Sequence, residues 1–203
     1  MAGPLRRPIR DDVGVSDYQA LPEDLPVPAD DGGADHLPGT PVPRLALPAT
    51  SGGGVDLAEL ATGLLVAYVY PRTGVPGEPL PEGWDDIPGA RGCTPQSCSY
   101  RDSLAAFEGH GARLVGISAQ SEGEQAEFAA REHIPYPLLA DPGLRLAGAL
   151  ALPTFKVEIA DADVSLYKRL TFVAADGVIV KAFYPVFPPD RDAADVLAWL
   201  GSR

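Results

Sequence analysis

The sequence predicts an α/β domain on a mixed sheet, and three observations carry that prediction. The continuous apolar run Leu64–Tyr70 and the largely apolar stretch Ala112–Ser118, both of strand length, read as buried strands. Helix-forming stretches follow each of them. Residues 170–174 and 178–186, joined by Asp176-Gly177, read as a hairpin with a tight turn. Strand–helix alternation followed by a hairpin gives a mixed sheet rather than a purely parallel one.

The elements follow in order. Residues 1–36 are rich in Pro and Asp and read as an arm with little apolar surface to bury; nine of the 22 prolines lie in the first 50 residues. The arm is either a mobile tail or a segment laid along the domain or a partner. The domain spans 37–203. Residues 45–48 form a short strand, Thr50-Ser51-Gly52-Gly53-Gly54 a turn, and Asp56 is a candidate N-cap of a short helix. After Leu64–Tyr70, residues 71–92 are rich in Pro and Gly and form a long loop, of the kind that is functional or mobile. A helix spans 94–109, opened by the Thr94 hydroxyl and Pro95. A further strand lies at 136–139 and a helix at 142–151. Ser121 and Glu124 match a capping box for a helix over 121–133. The chain closes with an amphipathic helix over 189–200, with Ala194, Val196, Leu197 and Leu200 inward.

Composition excludes several function classes. The formal charge is −12, which argues against a phosphate-tracking nucleic-acid binder or a polybasic membrane binder. No apolar window has the length of a membrane span. The basic residues near Met1 lack an apolar stretch behind them, so no secretory signal is expected and the expected setting is cytoplasmic. Ser118 and Ser121 have no nearby His for a hydrolase triad, and Gly52-Gly53-Gly54 lacks the Lys of a phosphate loop.

The chemistry centres on the two cysteines, Cys93 and Cys98. Their C-x4-C spacing matches neither the redox C-x-x-C motif nor a zinc knuckle. His36, His110 and His133 are scattered, so no metal site and no cofactor are expected. In a reducing compartment such a pair is chemical rather than a structural bridge. Cys93 stands at a predicted helix start, where free N–H groups and the helix dipole favour a thiolate. Cys98 lies five positions on, so a bond between them requires the helix start to unwind.

The flanks carry a resemblance. The segments GCTPQSCSYRD, VAYVYPRTG, VGIS, YPLLADP and KRLTFVAADGVIVKAFYPV, in that order of the chain but for the second, make residues 39–200 resemble the peroxiredoxins of the bacterioferritin-comigratory, or peroxiredoxin Q, type. The resemblance implies a thioredoxin-like fold with an extra N-terminal hairpin. It implies thiol-dependent reduction of hydrogen peroxide and organic hydroperoxides, and recycling by a thioredoxin-like or glutaredoxin-like reductant. Such relatives imply a monomer or weak dimer.

By the same resemblance Cys93 is the peroxidatic cysteine and Cys98 the resolving one. Arg169 is the strand-borne arginine that supports thiolate and peroxide, and Pro71 opens the active-site segment. Two departures stand out. The family's threonine three before the cysteine is Ala90, and Pro71 stands 22 residues before Cys93, so residues 74–87 read as an insertion. Thr73 or Thr94 then supplies the hydroxyl. Arg101 either supports the site or pairs with Asp102. Arg72 and Arg91 attract an anionic group or are solvated surface; Trp84 covers the site or pins the loop. The competing readings are a thioredoxin-fold thiol–disulfide oxidoreductase with a specialised substrate and a redox-switched binding module.

Overall fold

Apolar runs with no polar face can only be central strands, and they are. The computed structural model describes Tyr18 and residues 20–203. Residues 1–17 and 19 of the expected arm, and the N-terminal segment considered for a targeting signal, lie outside the described residues. Strand β1 (Ala46–Pro48) pairs antiparallel with β2 (Gly54–Asp56), forming the N-terminal hairpin. Asp56 caps α1 (Leu57–Leu60), its carboxylate accepting from the Ala58 and Glu59 amides. Strand β3 (Leu64–Tyr70), helices α2 (Cys93–Asp102) and α3 (Leu104–Gly109), and β4 (Ala112–Ser118) follow. Helix α4 (Glu122–Arg131) begins with the full Ser121–Glu124 capping box. Then come β5 (Leu138–Ala140), α5 (Arg145–Leu150), β6 (Thr154–Ile159), β7 (Ala162–Tyr167), β8 (Leu170–Ala175), β9 (Val178–Phe183) and α6 (Asp192–Gly201).

The central sheet runs β5-β4-β3-β8-β9. Strand β3 is parallel to β4 and antiparallel to β8, so the sheet is mixed as expected. Each of its faces carries a core. One packs Leu65, Ala67, Val69 and Phe172 against the N-terminal hairpin, α1 and α5. The other packs Val66, Tyr68 and Tyr70 against α2, α3, α4 and α6. Helix α2, which holds both cysteines, is thereby clamped to the sheet; Tyr68 of β3 stacks on Tyr100 of α2 with ring centroids 4.5 Å apart.

Four expectations need correction. The long helix starts at Cys93, and no side chain caps it; its N-cap is Gly92 at φ 100°. The Thr94 hydroxyl is buried in the first turn instead of preceding it. The helix also breaks at Ser103, whose amide is shared among three carbonyls, splitting it into α2 and α3. The β6–β7 hairpin was not anticipated. Thr154–Ile159 does alternate polar and apolar residues, but its Ala160-Asp161 turn, at φ 50° and 60°, lacks the usual Gly or Asn that would mark the reversal. In α6 the inward alanine is Ala193, while Ala194 is exposed.

Residues 20–36 lie along the domain. Asp31 accepts from Lys168 Nζ at 2.6 Å and from the Tyr184 hydroxyl at 2.7 Å, which lowers its carboxyl to about 2. Leu21 packs against Gly92, and Pro28 against Gly89.

Gly116 ties this architecture to the cysteines. It is paired with Tyr68, and a Cβ there would meet the Tyr68 ring at 2.6 Å and Leu138 at 2.7 Å. Gly116→Ala must push Tyr68, and through the stack α2. We expect it to destabilise the fold by about 1–3 kcal/mol in urea unfolding and to slow Cys93 reactivity in the folded protein. An unchanged midpoint with unchanged reactivity would refute the coupling.

Candidate active site

Four segments build the site: the loop before α2, the first turns of α2, the start of β8 and the start of α6. Gly92 is required where the loop meets the helix. Its φ is positive, and a Cβ would lie 2.3 Å from Pro189 and 2.7 Å from Leu21. With Gly92 in place, Cys93 becomes the first residue of α2, where helix amides lack intrahelical acceptors.

The sulfur of Cys93 meets a guanidinium. Arg169 Nη2 lies 3.2 Å from Sγ and also donates to the carbonyls of Ala90, at 3.1 Å, and Arg91, at 3.0 Å. Its Nη1 donates to Gln96 Oε1. Arg169 is 3% exposed, and these acceptors offset the cost of burying its charge. The sulfur is thereby one of the acceptors around the guanidinium.

Gln96 is held in turn. Its Nε2 donates to Asp192 Oδ2 at 2.7 Å, and the same oxygen accepts from Thr171 at 2.6 Å and Tyr100 at 2.9 Å. A carboxylate can only accept, so the Gln96 amide must turn its nitrogen toward Asp192 and its oxygen toward Arg169. Burial raises the Asp192 carboxyl; donors from Thr171, Gln96 and Tyr100 and the Arg169 charge oppose that.

Cys98 sits in a different environment. It lies on α2 beside Glu132, its Sγ 3.7 Å from the carboxylate. Burial pushes its thiol up to about 11, with Arg101 opposing and Glu132 and Asp102 adding to the rise. Five positions along a helix separate two residues by about 7.5 Å of axial rise and face them in different directions. Both cysteines are free and buried.

The other predicted residues divide. Thr73, Thr94 and Cys93 line one cleft, joined by Arg72, Arg91 and Trp84. The Thr73 hydroxyl donates to Gln120 Oε1 at 3.0 Å. Pro71 is buried at the end of β3, its carbonyl accepting from Ser118; it does not line the cleft. Arg101 binds Asp102 at 2.8 Å and the Glu132 carbonyl at 2.6 Å, which places it by Cys98. Trp84 packs on Phe155, so it both pins the loop and walls the cleft. Among the described residues no three His, Cys, Asp or Glu side chains converge as metal ligands.

Sequence reasoning missed Gln96 and Asp192. The signal for Gln96 was a polar residue between Cys93 and Cys98 on a helix with almost no exposed face. Asp192 lies inside the predicted closing helix, where no spacing sets it apart from the other acids.

Comparison with known proteins places this arrangement. The redoxin family model matches residues 37–198. The chain belongs to the redoxin family. A Mycobacterium tuberculosis protein whose name places it among the peroxiredoxins is 32% identical over 150 residues, covering 73% of this chain and 85% of its own length. The chloroplastic peroxiredoxin Q of Gentiana triflora is 29% identical over 165 residues, covering 81% of this chain and 66% of that protein. The crystal structure of the peroxidoxin BcpB from Mycobacterium tuberculosis superposes with a TM-score of 0.64 at 28% identity, covering 81% of this chain and 96% of that one. The thioredoxin-like redoxin fold is therefore the fold of this chain. No helix among the described residues is long and apolar enough to cross a membrane.

The Cys98 environment has a measurable consequence. In a Cys93→Ser variant, iodoacetamide alkylation of Cys98 should keep accelerating between pH 9 and 10, because a thiol raised to about 11 is still protonated there. An ordinary thiol levels off above about 8.5. A plateau by pH 9 would contradict the buried, protonated state.

Proposed function

We propose that the protein is a thiol-dependent peroxidase in which Cys93 is the peroxidatic cysteine, Cys98 the resolving cysteine and Arg169 the residue that stabilises charge at the reacting sulfur. The single observation that supports this most is Arg169 Nη2 at 3.2 Å from Cys93 Sγ, on a sulfur that lines an open cleft. Membership of the redoxin family and the peroxiredoxin relatives point the same way.

The chemistry is a two-electron oxidation of sulfur. The Cys93 thiolate attacks the terminal oxygen of ROOH; the O–O bond breaks, Cys93 becomes a sulfenic acid, and RO⁻ takes a proton to leave as ROH. Arg169 and the free amides of the α2 start stabilise charge on the sulfur and on the leaving oxygen. Thr73 and Thr94 supply hydroxyl groups at the cleft, Thr73 being the one oriented by Gln120. Pro71 and Arg101 act at a distance, Pro71 by ending β3 before the loop and Arg101 by holding Cys98 against the Glu132 backbone.

Resolution requires motion. The first turns of α2 unwind, Cys98 leaves its buried setting, and its thiol condenses with the sulfenic acid, releasing water and forming the disulfide. Exposure to water returns Cys98 toward an ordinary thiol, so the resolving nucleophile is released by the same unwinding that brings it into reach. A thioredoxin-like or glutaredoxin-like dithiol then restores both thiols by exchange.

Peroxide consumption with a thioredoxin system tests this. Cys93→Ser should abolish turnover. Cys98→Ser should permit one oxidation per chain without recycling by the dithiol. Arg169→Ala should slow the reaction with peroxide by about 100-fold or more, the loss typical of removing one donor to a developing anion. Full peroxidase activity in Cys93→Ser would end the assignment.

A further inference from the structure

The cleft above Cys93 is much larger than hydrogen peroxide needs. It has a volume of about 700 Å³, within the ~300–1,000 Å³ of small-molecule sites. A water-sized molecule takes about 30 Å³. Its walls come from segment 74–87 and from the tip of the β6–β7 hairpin, with Tyr18 at one side.

Those walls are built and held. Trp84 is 3% exposed and joins Ala90, Val157 and Leu166 in a third apolar cluster, with Leu80, Phe155 and Ile159 packed against it. This cluster fastens the loop to the hairpin, so the cleft exists before anything enters. The Tyr18 hydroxyl donates to the Glu78 carbonyl at 2.6 Å, closing that side. Leu80, Trp84 and Ile159 therefore offer an apolar surface that leads to the Cys93 sulfur.

The charges along the same cleft are one-sided. Glu78, Glu82, Glu158 and Asp161 line it and are exposed, and none forms an ion pair among the described residues. Its two arginines each face a carboxylate: Arg72 lies 3.4 Å from Glu124 and Arg91 3.3 Å from Asp85. The left-handed Ala160-Asp161 turn fixes the hairpin tip that carries two of the four acids. An entering molecule meets a net negative field and then an apolar wall.

Resting on the peroxidase reading above, we propose that this cleft selects uncharged organic hydroperoxides with a bulky apolar body, and that Leu80 and Ile159 on its wall and Glu158 and Asp161 on its rim are specificity-determining residues. The –OOH end reaches Cys93, the apolar body lies against Leu80 and Ile159, and a carboxylate on that body is repelled. The sulfur chemistry is the one already given: ROOH is reduced to ROH, and Cys93 takes the terminal oxygen.

The test compares three oxidants on the full reduced chain by rapid-mixing kinetics of Cys93 oxidation: hydrogen peroxide, cumene hydroperoxide and its para-carboxylate. At low salt the neutral aryl hydroperoxide should react about 3- to 10-fold faster than its carboxylate, and added salt should close the gap. Glu158→Lys with Asp161→Lys, both at exposed positions, should remove or invert that preference. Leu80→Asp should lower the ratio of cumene hydroperoxide to hydrogen peroxide rate constants by at least about fivefold. Equal rates for the neutral and carboxylated compounds, or a preference untouched by the charge reversal, would overturn the proposal while leaving the peroxidase reading intact. If hydrogen peroxide itself reacts no faster than with a free thiol, the peroxidase reading fails, and this proposal with it.

Discussion

The contact on which the site depends is the buried guanidinium of Arg169 against the sulfur of Cys93. A buried cation needs acceptors around it, and here both terminal nitrogens of the guanidinium have them while Nε has none. Those acceptors come from distant parts of the chain: two carbonyls of the loop before α2, the side-chain oxygen of Gln96 and the sulfur itself. Asp192 then fixes Gln96 from α6, and Thr171 and Tyr100 complete the set. This one contact thus requires the sheet, two helices and the loop to be in place together. The placement of the guanidinium against the sulfur and the completed fold are a single condition.

The two thiols are kept apart by the same packing. Cys93 faces a cation and a cleft; Cys98 faces a carboxylate and the interior. Identical side chains, five positions apart on one helix, therefore sit in opposite electrostatic surroundings. A rigid helix also prevents them from joining. The chemistry proposed here uses both facts, since the unwinding that permits contact also rehydrates Cys98.

Much of this was legible in the residues. The strands Leu64–Tyr70 and Ala112–Ser118 had no polar face to misplace, and the Ser121–Glu124 box marks its helix by two reciprocal bonds. The cysteine pair and the arginine of the β8 start were legible through their flanks. What escaped was tertiary. The start of α2 depends on Gly92 fitting beneath Pro189 and Leu21, which are remote in sequence. The β6–β7 hairpin alternates polar and apolar residues over Thr154–Ile159, but its Ala160-Asp161 turn gives no Gly or Asn to mark the reversal. Nothing local links Asp192 to Gln96, because their pairing exists only once α6 docks on α2. Thr73 shows the same limit, since only folding reveals that Gln120 takes its hydroxyl.

The contact of Leu21 and Pro28 with Gly92 and Gly89 has a thermodynamic corollary. Residues 21–28 rest on the very turn from which α2 departs, and Arg91 in that turn lies over the Tyr18 ring. Loosening the turn forfeits those contacts, and lifting residues 21–28 loosens the turn. By reciprocity, any agent that grips Leu21 and Pro28 shifts the conformational balance of the helix carrying both sulfurs, without touching either one.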